Sequence, residues 1–402
     1  MTSGGTLAPR ERIRRLSRSG TAPLWILVAL VVTFGLIMTL SASSVYALDA
    51  TGSAYTVFVR QSLWVGAGVI ALVGCAAIPY QKWARWVPVI LVVVFALLVL
   101  VKVPGLGISV NGARRWVGWG PIRLQASEFA KFGFLIAASA LLARKRRDLQ
   151  DPVAVVVPVV FPLFACVAGL VMLEPDLGTT LVISAICFML LVVAGARLKF
   201  LGSAAAIGVV AVAVLAYIEP YRRARLLSFL DPFKDAQGGG YQVVQGMIAM
   251  GSGGVSGVGL GASRQKWMFL PNAHTDFIFA VIGEELGLAG SLVLLLLLFL
   301  LVAYCVRAAR RAPDLFGTLV ASGVACWIAV QALLNIGAVT ALLPITGVPL
   351  PFVSVGGSNI LVLLASLGVV INIARQGDVE VARADHRRRR ARRNAEDALD
   401  AV

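Results

Sequence analysis

Ten runs of apolar residues, each close to the roughly 20 that a bilayer crossing requires, constrain this chain before any motif is considered. They fall at about 22–42, 61–79, 87–103, 127–143, 153–172, 177–195, 199–218, 277–304, 316–342 and 358–374. With 59% of its residues hydrophobic and 14% charged, the chain has far fewer charges than the quarter usual in soluble domains. An all-α polytopic membrane protein of about ten transmembrane helices is expected. It divides into a basic tail at 1–20, a ten-helix domain at 21–375 and an Arg-rich tail at 376–402. The first run is long and has no convincing cleavage site after it, so it reads as a retained helix rather than a signal peptide. The cysteines, Cys75, Cys166, Cys187, Cys305 and Cys326, all lie in apolar runs, where they read as packing residues and not disulfides.

Charge sets the topology. With an even number of spans both tails share one compartment, and both are rich in arginine, as at Arg10 to Arg18 and Arg387 to Arg393. The positive-inside rule puts both in the cytoplasm. The connections carrying Lys82 and Arg85, Arg144 to Arg147, Arg197 and Lys199, and Arg307, Arg310 and Arg311 then fall on that side too. These account for most of the 36 Lys and Arg, and topology with lipid attraction explains them. The net charge of +16 is therefore no argument for nucleic acid. Apart from Arg60 and Lys102, the remaining cations cluster on the other face, at Arg114, Arg115, Arg123 and Lys131, at Arg222, Arg223, Arg225 and Lys234, and at Arg264 and Lys266. Something anionic is expected to bind there.

Two loops on that extracytoplasmic face stand out. Residues 104–126 combine a turn with basic and aromatic residues suited to the interface. Residues 219–275, between the seventh and eighth runs, are too many for a connector. Within them, 241–250 reads as an amphipathic helix at the interface. The following glycine-rich run matches the dinucleotide fingerprint only formally, with no strand before it. Nor is there a Walker A motif, so no nucleotide cofactor is expected. Energy must come from an ion gradient or an activated substrate.

Four segments carry candidate chemistry. Leu270 to Glu285 enters the eighth run with His274, Thr275 and Asp276 at its head and Glu284 and Glu285 about two turns deeper. Asp276 or Thr275 can cap the helix, and the two glutamates read equally as a structural pair or as catalytic groups. Gln125 to Lys131 places Glu128 and Lys131 three apart on one helix face, as an ion pair or as substrate contacts. Glu174 and Asp176 flank a tight turn and offer two carboxylates to a divalent cation, unless Asp176 caps the next helix. Residues 344–359 have a Gly and Pro density that forces irregular backbone.

These segments, taken in order, resemble the SEDS family (shape, elongation, division and sporulation). The matching pieces are Asn111-Gly-Ala-Arg-Arg-Trp116, Gln125 to Lys131, Glu174 to Thr180, Tyr241-Gln-Val-Val-Gln245, Gly251 to Gly261, Ala273-His-Thr-Asp-Phe-Ile-Phe279 and Pro351 to Ser358. The stretch ending at Lys266 is closer to the division branch than to the elongation branch. Asn272, Ala126, Val355 and Asn359 depart from the residues usual at these places.

The resemblance implies a peptidoglycan glycosyltransferase that polymerises lipid II, a disaccharide-peptide on undecaprenyl pyrophosphate, outside the plasma membrane of a bacterium. It places the catalytic aspartate at Asp276 and supplies the anionic ligand that the outer cations call for. Arg115, Lys131 and Arg223 are candidates to hold the pyrophosphate, and Glu128, Gln245, His274, Thr275 and Ser358 are further substrate-binding candidates. A divalent cation, magnesium or manganese, can share that role, with Glu174 and Asp176 as the candidate ligands. A class B penicillin-binding transpeptidase and other divisome proteins are the implied partners. The rival readings are a lipid II flippase, an elongation-type polymerase and a non-catalytic scaffold.

Overall fold

The computed structural model describes residues 9–110, 113–119, 122–145, 160–218, 223 and 229–399. Eleven helices are described: α1 (Pro9–Thr51), α2 (Thr56–Ala77), α3 (Gln81–Leu100), α4 (Ala126–Arg144), α5 (Phe161–Leu173), α6 (Leu177–Ala194), α7 (Leu198–Ile218), α8 (Tyr241–Gly253), α9 (Ile278–Arg310), α10 (Leu315–Val339) and α11 (Gly357–Leu399). Eight of them are long and apolar enough to cross a membrane, while Phe161–Leu173 and Lys199–Ala211 are shorter apolar helices. Side chains such as Val89, Val92, Ile207 and Val209 are 64–71% exposed, as apolar faces turned to lipid are.

Polar and small residues gather inside. α11 packs most extensively on α2, where Gly368 lets the helices close: a Cβ there would lie 2.3 Å from the Leu72 carbonyl oxygen. Small residues at such contacts let backbones approach in a medium that gives helix association no hydrophobic drive. α10 is buried among α4, α6 and α9, with Trp327, Gln331 and Asn335 facing inward.

The all-α expectation needs one correction. Residues 104–126 contain a three-stranded antiparallel sheet, β1 (Gly107–Val110), β2 (Ala113–Trp119) and β3 (Ile122–Gln125), in that order. Trp116 pairs with Gln125 and Trp119 with Ile122. β-branched and aromatic residues supply the strand propensity, and the two short turns lie outside the described residues.

Helix limits also differ from the sequence reading. α11 runs past the expected tail boundary at 376 without interruption. α9 breaks internally at Gly287, whose φ of 65° and ψ of −163° are non-helical. α8 forms where the amphipathic segment was expected, and it packs against the broken head of α9. A Cβ on Gly253 would come within 1.9 Å of the Gly283 carbonyl oxygen.

Candidate functional site

The turn before α9 is held by its backbone. Asn272 has φ 54°, a left-handed conformation that Asn tolerates better than most residues, which gives a physical reason for Asn at this departure from the family pattern. Its carbonyl accepts from Thr275 N at 3.0 Å and Phe277 N at 3.3 Å, and from Thr275 Oγ1 at 3.2 Å. Helix capping was expected from Asp276 or Thr275; instead Phe277 occupies the N-cap and supplies no side-chain cap.

Three consecutive carbonyls then meet three donors. Val355 N donates to His274 O at 3.1 Å, Ser354 Oγ to Thr275 O at 2.6 Å, and Asn335 Nδ2 to Asp276 O at 2.8 Å. Ser354 Oγ also accepts from Leu350 N at 2.7 Å. Asp276 is partly exposed, with Phe277 and Phe279 buried beside it. Gly347 borders its carboxylate: φ is +70°, and a Cβ there would lie 3.7 Å from Asp276 Oδ2. The fold thus fixes the main chain carrying one carboxylate and brings a glycine backbone against it.

His274 stacks on Tyr46, with ring centroids 4.4 Å apart and 26° between planes. Burial, and then the charge of Arg60, push its pKa down to about 4. It is a neutral ring at physiological pH and brings no positive charge to an anionic ligand.

The three candidate pyrophosphate cations have separate placements. Arg115, on β2, donates from Nε to Glu174 O at 3.1 Å and from Nη2 to Pro175 O at 2.5 Å. Lys131 is buried, pairs with Glu128 at 2.8 Å, reaches Gln331 Oε1 at 3.3 Å and lies 4.9 Å from the Trp327 ring centre. Arg223 is exposed and sits over the Tyr217 ring at 5.6 Å. Lys266, also counted among the outer cations, is buried against Glu285 at 3.0 Å. Arg222 and Arg225 lie outside the described residues.

Gln331 explains how the Glu128–Lys131 pair is built into the bundle. Its Oε1 accepts from Trp327 Nε1 at 2.7 Å, and its Nε2 donates to Pro349 O at 2.9 Å and Asn359 Oδ1 at 3.2 Å. Ser358 accepts from Gln125 N at 2.9 Å and is buried, so it joins the end of β3 to the head of α11. Gln245 lies half-buried on α8.

The carboxylates offered for a metal do not fit one. Asp176 caps α6, accepting from Thr179 N at 3.0 Å, Thr179 Oγ1 at 2.9 Å and Ser127 Oγ at 3.0 Å. Glu174 is fully buried with neither carboxylate oxygen hydrogen-bonded. Burial, then the neighbouring Asp176, push its pKa up to about 8 against the opposing pull of Lys102 and Arg115. It is mostly protonated at pH 7, a poor ligand for a hard cation, which prefers ionised oxygens. Among the described residues no group of three or more His, Cys, Asp or Glu is arranged to hold a metal.

Glu284 and Glu285 clamp the long loop. Glu284 accepts from Ser263 Oγ and, at 2.8 Å, from Arg264 N. Glu285 accepts from Ser41 Oγ, Ser263 N and Lys266 Nζ. Because α9 breaks at Gly287, the main-chain carbonyls of Glu284 and Glu285 are free to accept from Val258 N and Gly259 N, both at 3.0 Å. Of the two readings of these glutamates, the structure gives the pairing one a full set of partners.

A model of cell cycle proteins, the FtsW/RodA/SpoVE family, matches residues 21–378. The chain belongs to that family. Stage V sporulation protein E of Bacillus subtilis (strain 168) is 40% identical over 352 residues, covering 88% of this chain and 96% of its own. The probable peptidoglycan glycosyltransferase FtsW of Nitrosococcus halophilus (strain Nc4) is also 40% identical, over 368 residues, covering 89% of this chain and 94% of its own. A solved chain from a peptidoglycan synthase complex, described as coordinating polymerization and crosslinking, superposes with a TM-score of 0.70 at 29% identity, over 88% of this chain and 97% of that one.

Within this FtsW/RodA/SpoVE chain the sequence reading passed over Asn335, and it included Gly347 and Ser354 in the 344–359 segment without giving either a role. A signal for the first was present: Gln331 and Asn335 lie four apart in a strongly apolar run, and polar side chains in such a run are placed on one face for a reason. Ser354 and Gly347 are turn residues whose partners lie far away in sequence.

Proposed function

We propose that the chain is a peptidoglycan glycosyltransferase that polymerises lipid II by inverting transfer, with Asp276 as the base. The observation that carries this reading is the fixed main chain of 274–276, which presents a partly exposed aspartate at the mouth of the helix bundle. Asp276 takes the proton of the acceptor GlcNAc 4-hydroxyl as that oxygen attacks C1 of the donor MurNAc, and undecaprenyl pyrophosphate leaves. A base held within reach of the proton it removes contributes on the order of 10² to 10⁴ in rate. The activated donor supplies the driving force. Arg115 and Arg223 remain the candidates to face the leaving pyrophosphate, since Lys131 and Lys266 are committed inside the bundle.

The orientation follows from charge. Ten apolar helices give both termini one side, and the basic tails and connections put that side in the cytoplasm. The head of α9, the sheet and the 219–275 loop then face outward, where lipid-linked disaccharide is polymerised. A class B penicillin-binding transpeptidase is the partner that couples polymer to crosslinking. The FtsW relatives support a septal role in division, and the equal identity to the sporulation protein makes spore-wall synthesis the alternative.

Purified protein, with its transpeptidase partner, given labelled lipid II and scored for glycan polymer tests the reading. Asp276→Asn is expected to abolish polymer in a folded, membrane-inserted chain; polymer at the wild-type rate would sink the assignment. Scrambling of lipid II in proteoliposomes without polymer would instead identify a flippase. Depletion in cells separates the roles, with filaments expected for a septal enzyme.

A further inference from the structure

Asn335 lies on α10 and is 2% exposed. Its Nδ2 donates to two main-chain carbonyls, Asp276 O and Val348 O, each at 2.8 Å. Two acceptors around one nitrogen fix which end of the amide is which. Oδ1 is consequently buried with no hydrogen-bond partner. A buried acceptor without a partner is costly, so an amide retained here is retained for its two N–H groups.

The two carbonyls belong to two chain segments, 274–276 and 346–348, that meet at the candidate site. One is on the residue that carries the carboxylate. The other follows Gly347, whose backbone borders Asp276 Oδ2. One side chain of α10 therefore ties the main chain of the aspartate to the segment that its carboxylate borders. Ser354 and Val355 hold the two preceding carbonyls, Thr275 O and His274 O.

We propose that Asn335 is a positioning residue for Asp276, tying its main chain to the 346–348 segment in the geometry for proton removal. This rests on the reading of Asp276 as the base. Misplacement of a reacting group by about 1 Å costs on the order of 10²-fold in rate, and a group that acts by position affects turnover and not substrate capture.

The test uses full-length protein with its transpeptidase partner and labelled lipid II. Asn335→Leu removes both donors and is expected to lower kcat about 10²-fold with KM within about twofold of wild type. Asn335→Asp keeps the shape and regains one O–H donor only when protonated, so its activity relative to wild type should rise as pH falls. A wild-type kcat in Asn335→Leu, or a loss carried by KM, overturns the proposal. If Asn335→Leu does not fold, the pH series on Asn335→Asp decides, and a ratio to wild type that does not change with pH overturns it. Asp276→Asn is run alongside: activity there would defeat the reading of the site itself, whereas an inactive Asp276→Asn beside a fully active Asn335→Leu would defeat only the positioning role.

Discussion

Lys131 Nζ meets Glu128 Oε1 at 2.8 Å with each side chain 1% exposed, and both belong to the same face of α4. A charge pair at that depth is stabilising only as a pair, because each partner alone would be an uncompensated charge in a low-dielectric interior. Removing one partner should therefore cost more than removing both.

Lys131→Met alone is expected to destabilise the protein by about 3–5 kcal/mol, and Glu128→Leu with Lys131→Met by much less. Thermal unfolding in detergent measures both. Equal losses in the single and double variants would show that the pair is not the unit that matters.

Ser354→Ala leaves Thr275 O and Leu350 N without their shared hydroxyl. Each buried group so orphaned costs about 1–3 kcal/mol. A lower Tm and slower polymerisation are expected together, since the turn that loosens is the one that carries Asp276. An unchanged Tm would mean that water replaces the hydroxyl without loss.

Gly287→Val combines two faults. The φ of +65° is unfavourable for a β-branched residue, and a Cβ there would lie 2.4 Å from Gly257 N. The glycine-rich loop, held to α9 through Val258 N and Gly259 N, should come free. Faster limited proteolysis within 254–267 than in wild type is the expected readout, and an unaltered cleavage pattern would contradict it.

Glu174 makes stability depend on pH. Its native pKa is raised from 4.5 to about 8, so between those values the unfolded chain releases a proton that the folded chain keeps. Stability therefore falls as pH rises across this window, and is unaffected below it. Glu174→Gln keeps the neutral shape and should raise Tm at pH 8 while leaving it unchanged at pH 4. A Tm difference that is the same at both pH values would remove protonation as the cause.

Much of this protein was legible in one dimension. Apolar runs set by bilayer thickness fall for most of their described length on helices, and the amphipathic segment at 241–250 forms α8. The pattern also singled out the 270–285 segment, because a short polar motif at the head of an apolar run is conspicuous. The strands were missed because a meander of four to seven residues carries too little periodicity to stand out between two spans.

What the sequence determined by itself is the class of molecule, a mostly helical protein with membrane-spanning apolar helices, and the family to which it belongs, all set by local hydrophobicity and contiguous motifs. Only tertiary structure decided which charges are committed. Lys266 looks like a free outer cation in the sequence, yet it is buried against Glu285, because the chain brings distant partners together by its three-dimensional path; for Lys131 the i, i+3 spacing left ion pair and substrate contact open, and burial against Glu128 decided for the pair. The same holds for the cradle of Asp276: Asn335, Ser354 and Gly347 lie 59 to 78 residues further along the chain, and only the packing of α10 and the 346–355 segment against the head of α9 makes them neighbours.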